Sequence, residues 1–467
     1  MTLTPRETAI DYHNRALKLA GTDPQMAYRH ACSAVTVDPT LAAGWAYLGA
    51  VLADIGSIPA SCAAFRRALA CPPGDGPGEL DNGLRHRCLV QLGHRLIDNR
   101  VVSLAALDEA QDATTAALEV EGVEDAGRAF AYTNLSLIAS LRNQLGLELS
   151  MAKEGFRLCP EPATELGLAF ALLFNGRYAD GLRHFEARFP HTLPQYLNLP
   201  WPRWDGGHVG TLLVLCEQGL GDTVSMARFV GRAATRCDRL LFQVQPELLS
   251  LLTEWFADAP NVEVVPQDHV LPQVDAWCPV FSLPTPLGLT DAEIRNAYFR
   301  CHASPAENTS WKRPDARLHV AIAWAGAPNN AIDPHRSVPF EAMLELGRVP
   351  GIALYSVQVG DRAKELHDKG AAALVTDMSP WIRDARGTAG ILAAMDAVVC
   401  CESFVGHLAG TIGAWTLLLC SRLGRDWRSS PRLGDRTLWY PETEVIRQGD
   451  DCDWRPVVAE AVRRLSA

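Results

Sequence analysis

Three stretches carry residues whose types and spacing suit the chemistry of anions and hydroxyls. The first, Gly219-Leu220-Gly221-Asp222, follows an apolar run and opens a helical pattern. Its two glycines permit close backbone approach to a ligand, and Asp222 stands where a carboxylate either caps a helix or takes a proton. As a dinucleotide fingerprint the stretch fails, because Val224 occupies the place of a third small residue. The second, Trp324-Ala325-Gly326-Ala327-Pro328, leads to His335-Arg336-Ser337, in which Arg336 is suited either to a bidentate hold on phosphate or to a surface ion pair. The third runs from Cys401 to Gly410 directly after the apolar Ala397 to Cys400. It sets the carboxylate of Glu402, the hydroxyl of Ser403 and a helix start at one point, where N–H groups would take a pyrophosphate and Glu402 would accept from a sugar hydroxyl. His407, inside that helix, reads either as a structural histidine or as a ligand contact.

Such residues act together only if a fold collects them, and the apolar pattern predicts one that does. Thr211 to Cys216, Leu240 to Val244 and Val262 to Val265 read as buried strands, with a helix over Pro246 to Phe256. After a polar stretch ending at Arg317, His319 to Trp324, Ala353 to Val357, Met395 to Cys400 and Thr416 to Cys420 read as strands again, with helices between. All three stretches then fall at carboxyl ends of strands in open parallel sheets, where helix N-termini aim unpaired N–H groups at anions. The one D-x-D string, Asp451-Cys452-Asp453, lies away from any strand end and reads as solvated loop.

The first two hundred residues are different in kind. From Leu41 onward Trp45, Leu48, Gly49, Ser61, Phe65, Ala68 and Pro73 follow the tetratricopeptide (TPR) template, in which small residues let paired helices approach and proline ends the second helix. Ala27, Ala34 and Pro39 mark a weaker repeat before it; Tyr132, Leu135 and Pro160, then Leu168, Leu172, Gly176, Tyr178 and Phe185, mark two after it. Asp81 to Leu118 has a helical pattern without the signature residues and is expected to be a degenerate repeat. Prolines and the pair Gly206-Gly207 then interrupt the pattern, placing a boundary near Pro200. The expected domains are a repeat array over 1–200, a first α/β lobe over 201–310 and a second over 311–467. An array of this kind presents a concave face to a protein or peptide, or serves as a scaffold for the next domain or a dimer.

Composition narrows the function classes. A net charge of -11 with no basic cluster argues against nucleic acid and against anionic membranes. The thirteen cysteines are scattered without metal-ligand spacing, which fits reduced thiols in the cytoplasm. The beginning of the chain carries Arg6, Glu7 and Asp11 and no apolar core of a signal, and no stretch is long and apolar enough for a membrane span.

In this order the elements resemble the glycosyltransferase module found behind TPR arrays in bacterial proteins, itself similar to the lipopolysaccharide heptosyltransferases. The resemblance rests on Trp204-Asp205-Gly206, Glu217 to Thr223, Asp275 with Ser282-Leu283-Pro284, Trp324-Ala325-Gly326, Arg336-Ser337, Ser356-Val357-Gln358, Thr388-Ala389, His407 to Gly410, Asp426-Trp427-Arg428, Trp439-Tyr440-Pro441 and Arg447-Gln448. It implies a TPR superhelix followed by a two-lobed, Rossmann-like GT-B module. It further implies an inverting, metal-independent transfer of sugar from a nucleotide-sugar donor to a hydroxyl of a protein acceptor, with no cofactor. Asp222 becomes the general base, and Gln218, Gly219, Gly221, Trp324, Gly326, Arg336, Gln358, Glu402, Ser403 and His407 become substrate contacts. The acceptor would bind through the TPR face, and homo-oligomers are compatible with the array. The sequence departs from the family in carrying Glu402-Ser403 for the usual Asp-Thr and Ser429 for a second tryptophan. Two other readings stand beside the first: a catalytically degenerate adaptor, and a small-molecule glycosyltransferase that uses its repeats only to oligomerise.

Overall fold

The computed structural model describes residues 3–98, 102–193, 198–297, 301, 303, 305–306, 309–328, 330, 332–423, 426–430, 434, 437 and 439–467, with backbone only at 191–192. Pro194 and Ser304, at the two expected linkers, lie outside the described residues. The chain divides into two compact units, Met1–Ala171 and Leu172–Ala467.

The first unit is helical: α1 (Pro5–Leu19), α2 (Pro24–Val37), α3 (Ala42–Asp54), α4 (Ile58–Leu69), α5 (Asn82–Leu96), α6 (Leu104–Leu118), α7 (Asp125–Leu141), α8 (Leu145–Leu158) and most of α9 (Pro162–Phe174). Helix starts follow local chemistry. Thr4 and Glu7 form a reciprocal capping box, and the side chains of Asp23, Asp81 and Ser103 accept from the N–H groups of Met26, Leu84 and Ala106. From α1 to α8 each helix packs on the next, and small residues let the paired helices approach. A methyl on Gly49 of α3 would lie 3.0 Å from the Phe65 ring of α4, and Ser61 Oγ donates to Gly49 O at 2.6 Å. The pair α5/α6, which lacks the repeat signature, uses the same device: a methyl on Gly93 would sit 2.2 Å from Thr114 Oγ1. Neighbouring pairs are tied by a buried bond from Asn134 Nδ2 on α7 to Val90 O on α5 (3.0 Å).

The second unit begins within α9 and continues with α10 (Tyr178–His184) and α11 (Arg188–Thr192). Tyr178 in α10 and Phe185 just after it are the last repeat-like residues, yet α10 and α11 are bonded into the α/β part. Ala179 N donates to Asp291 Oδ1 at 2.6 Å, and the buried Arg188 reaches the first sheet.

That part contains two parallel sheets. The first has β1 (Val209–Leu215), α12 (Leu220–Met226), α13 (Val230–Ala234), β2 (Cys237–Val244), α14 (Leu249–Trp255), β3 (Val262–Pro266), β4 (Ala276–Pro279) and α15 (Asp291–Asn296), with strand order β3-β2-β1-β4. The second has β5 (Leu318–Ala323), α16 (Asp333–Arg336), α17 (Phe340–Met343), β6 (Ile352–Ser356), α18 (Glu365–Asp368), β7 (Val375–Asp377), α19 (Ala385–Ala393), β8 (Ala397–Cys401), α20 (Phe404–Ile412), β9 (Thr416–Cys420), β10 (Thr443–Arg447) and α21 (Trp454–Ser466), with order β10-β9-β8-β5-β6-β7. Strands β8 and β9 are buried along their whole length, as expected of parallel sheets covered on both faces. One face of the second sheet packs Val320, Ile322, Val399 and Leu417 against Phe340, Val457 and Val458.

Strand order decides where a ligand can sit. In the first sheet the chain turns to opposite sides of β1, toward β2 and toward β4; in the second it does so between β5 and β8. The crevices of an open parallel sheet lie at such switch points, beyond the carboxyl ends of the strands. Those ends carry the three stretches singled out from the sequence. No helix of the described residues is long and apolar enough to cross a membrane.

Candidate functional site

The turn after β1 is anchored by charge. Glu217 is buried and receives Arg188 Nε and Nη2 at 2.8 Å each, with Phe281 N donating to its Oε1 at 3.2 Å. A buried bidentate pair with a further N–H leaves little of either charge unsatisfied. Gln218 then adopts a left-handed φ of 62°, a strained geometry for a residue with a side chain. Asp222 faces two partners: its Oδ2 accepts from Gly219 N (3.0 Å) and its Oδ1 from Arg428 Nη2 (2.8 Å). Capping of α12 and engagement with a distant arginine are therefore both present.

The loop after β5 is held by Gln358. Its Oε1 accepts from Trp324 N (3.1 Å) and Ala325 N (3.0 Å), and its Nε2 donates to Ala325 O (3.2 Å). Beyond it, Asp333 Oδ1 accepts from Gly326 N (3.0 Å) and Arg336 Nε (3.3 Å). A methyl on Gly326 would lie 2.2 Å from Arg336 Nη2, so only glycine lets the guanidinium rest over this loop.

After β8, Glu402 is buried, with its Oε1 accepting from Ser429 Oγ (2.5 Å) and Asp426 N (3.4 Å). Burial pushes its carboxyl up to about 7, against the opposing pull of the Ser429 hydroxyl. Ser403 precedes α20 as its N-cap residue; its Oγ is buried and has no hydrogen-bond partner among the described residues. His407 lies one turn on, its Nδ1 2.9 Å from Tyr440 Oη and its Nε2 3.5 Å from Asp426 Oδ2. Burial, and then Arg428, push the imidazole below its ordinary range, which keeps it neutral. For Asp426 burial acts upward, but Arg428 and His407 outweigh it and hold the carboxyl far below the usual range.

These loops enclose a cavity of about 460 Å³. Gly219, Gly221 and Asp222 line it from the first sheet, and Gly326, Arg336, Gln358, Glu402, Ser403 and His407 from the second. The approach of the two sides is close: a methyl on Gly221 would be 2.5 Å from His407 Cδ2.

Two of the expected contacts lie elsewhere. The Trp324 side chain is fully buried against Phe340, with ring centroids 4.5 Å apart, because the strand directs it into the core and leaves only its N–H for the loop. Gln218 is exposed and outside the cavity lining, turned away by its left-handed backbone. Gln358 lines the cavity, but its amide is engaged by the backbone it braces. Conversely, Asp333, Asp426 and Arg428 emerge as organisers. The last two stand in the motif Asp426-Trp427-Arg428, whose charges close to an apolar run were the available signal; for Asp333 the only signal was its i, i+3 spacing from Arg336. The string Asp451-Cys452-Asp453 forms a turn that caps α21 through Asp453 Oδ1 and Arg455 N (2.9 Å).

No protein-family model and no curated protein matches the sequence. Among solved structures, the chain is similar to a chain of the APC/C hetero-tetramer Cut9-Hcn1, at 13% identity and a TM-score of 0.33, over 40% of this chain and 33% of that one. It is thus matched to only a third of that relative's length. It is also similar to PilF of Pseudomonas aeruginosa (18% identity, TM-score 0.33, 50% of this chain and 85% of that one). A third is PilW, described as a widely conserved type IV pilus biogenesis factor (15%, 0.34, 49% and 86%). The described residues make a region of successive packed helices followed by an α/β part with two parallel sheets.

Proposed function

We propose that the α/β unit is a GT-B-type glycosyltransferase that moves a sugar from a nucleotide-sugar donor to a hydroxyl of a protein acceptor presented by the TPR-like array. The observation that carries this reading is the single cavity onto which the loops after β1, β5 and β8 open, with a carboxylate on one side and an arginine and a helix N-terminus on the other. The acceptor oxygen would attack the anomeric carbon as the bond to the diphosphate breaks and its electron pair leaves with the diphosphate. Asp222 would take the acceptor's proton. Arg336 and the N–H groups at the start of α20 would stabilise the charge gathering on the departing diphosphate. A carboxylate has about four lone-pair sites, so the bonds from Gly219 and Arg428 leave Asp222 room for one proton more.

Asp222→Asn tests this. Turnover should fall by about 10²-fold or more with donor affinity nearly unchanged, because the amide keeps the shape and loses the base. Turnover at the wild-type level would end the assignment. The adaptor reading is favoured by the engagement of both Asp222 oxygens within the protein. It predicts that no nucleoside diphosphate or nucleotide sugar raises the thermal midpoint, whereas a ligand at 100 times its Kd adds about 2.7 kcal/mol to a binding protein.

A further inference from the structure

We propose that Arg428 is a positioning residue that orients Asp222 across the cleft between the two sheets, an inference that rests on the transferase reading above. Arg428 sits in the short turn Trp427–Ser429 after β9, and Asp222 opens α12 after β1, 206 residues away in sequence. The planar guanidinium divides its donors between the halves. On its own side Nε donates to Asp426 Oδ1 (2.8 Å) and Nη2 to Asp426 Oδ2 (2.6 Å); across the cleft Nη2 donates to Asp222 Oδ1 (2.8 Å) and Nη1 to Ser225 Oγ (2.6 Å). Asp222 and Ser225 are three residues apart on one helix and so share a face, which the outer edge of the fork meets at two points.

The Asp426 pair is bidentate and local, and Asp426 is held in turn by His407 and by its own N–H to Glu402. The guanidinium is thereby fixed on its own side before it reaches across to Asp222 and Ser225. Among the described residues the other partner of the Asp222 carboxylate is Gly219 N (3.0 Å), which restrains one oxygen and leaves the carboxylate plane free to turn. The bond from Arg428 to the second oxygen fixes that plane.

The test uses the full chain. The nucleoside diphosphate that most raises the thermal midpoint is identified first, and its nucleotide sugar is then the substrate, with water as acceptor and nucleoside diphosphate release as the readout. Arg428→Lys keeps a charge near Asp426 but cannot fork; kcat should fall by about tenfold or more while donor KM and nucleoside diphosphate affinity stay within about threefold. Combined with Asp222→Asn it should cause no further loss, since both changes remove one device. Wild-type kcat in Arg428→Lys, or losses that multiply in the double variant, overturns the proposal. Should Arg428→Lys lose its cooperative thermal transition, Ser225→Ala carries the test, with kcat down about threefold expected and unchanged kcat overturning it. A wild type that binds no nucleoside diphosphate and cleaves no nucleotide sugar removes the transferase reading, and this inference with it. An active wild type with a neutral Arg428→Lys removes this inference alone.

Discussion

Gly221 offers the sharpest test of how the cavity is built. A methyl there would lie 2.5 Å from Cδ2 and 3.3 Å from Cγ of His407, and 3.4 Å from Phe404 Cα. The imidazole has little room to yield, being mostly covered, bonded to Tyr440 Oη at 2.9 Å and set 3.5 Å from Asp426 Oδ2. To restore a normal carbon contact of about 3.5 Å, α12 and α20 must part by about 1 Å. Overpacking of this kind costs about 1–3 kcal/mol. The expected result for Gly221→Ala is a thermal midpoint lower by several degrees, at roughly 2–4 °C per kcal/mol. Because α12 carries Asp222 and α20 follows Ser403, the same shift misaligns the site, and a displacement of about 1 Å is worth about 10²-fold in turnover. Gly231→Ala in α13 is the control. A methyl there meets nothing within 4 Å, so the change should be neutral or stabilising by about 0.5–1 kcal/mol. Differential scanning of the two variants beside the wild type decides the matter: a Gly221→Ala midpoint equal to that of Gly231→Ala refutes the packing argument.

Two further outcomes follow from the same geometry. Arg336→Ala should weaken nucleoside diphosphate binding by about tenfold or more in calorimetry, since the guanidinium over Gly326 lines the cavity together with the residues at the α20 N-terminus; unchanged affinity would remove it from the site. Glu402→Gln should gain stability relative to the wild type as pH rises. The Glu402 carboxyl, raised to about 7 in the fold, binds a proton that the unfolded chain releases, so its contribution is full below the ordinary carboxylate range and is lost as pH climbs through 7. The difference between variant and wild type should therefore grow, by on the order of 1–3 kcal/mol, between about pH 5 and pH 8 in denaturant titrations. The comparison must be with the variant, because His407, held neutral by burial, contributes the opposite slope as pH rises toward its ordinary range. A difference that stays flat contradicts the burial assigned to Glu402.

The sequence alone determined the alternation of strands and helices and the places where chemistry would gather. Central strands buried on both faces must be continuous apolar runs, so β1, β2, β5, β6, β8 and β9 are legible without coordinates. The three strands that escaped notice, β4, β7 and β10, are all sheet edges. β4 has four residues and β7 three, and β10 places Glu444 among its apolar residues, so none presents a long apolar run. The repeat pairs were legible because close helix approach demands small residues at fixed spacing. Even the pair without the signature keeps Gly93 against Thr114. Tertiary structure alone decided which residues meet. A hydrogen bond between Arg428 and Asp222 spans 206 positions, and no local pattern encodes it. Nor does local pattern show that Trp324 turns into the core while Gly326 beside it turns to the cavity. A strand's alternation would set residues two apart on the same side, so it does not separate this pair; only the layers packed around the end of β5 say which of them reaches a ligand.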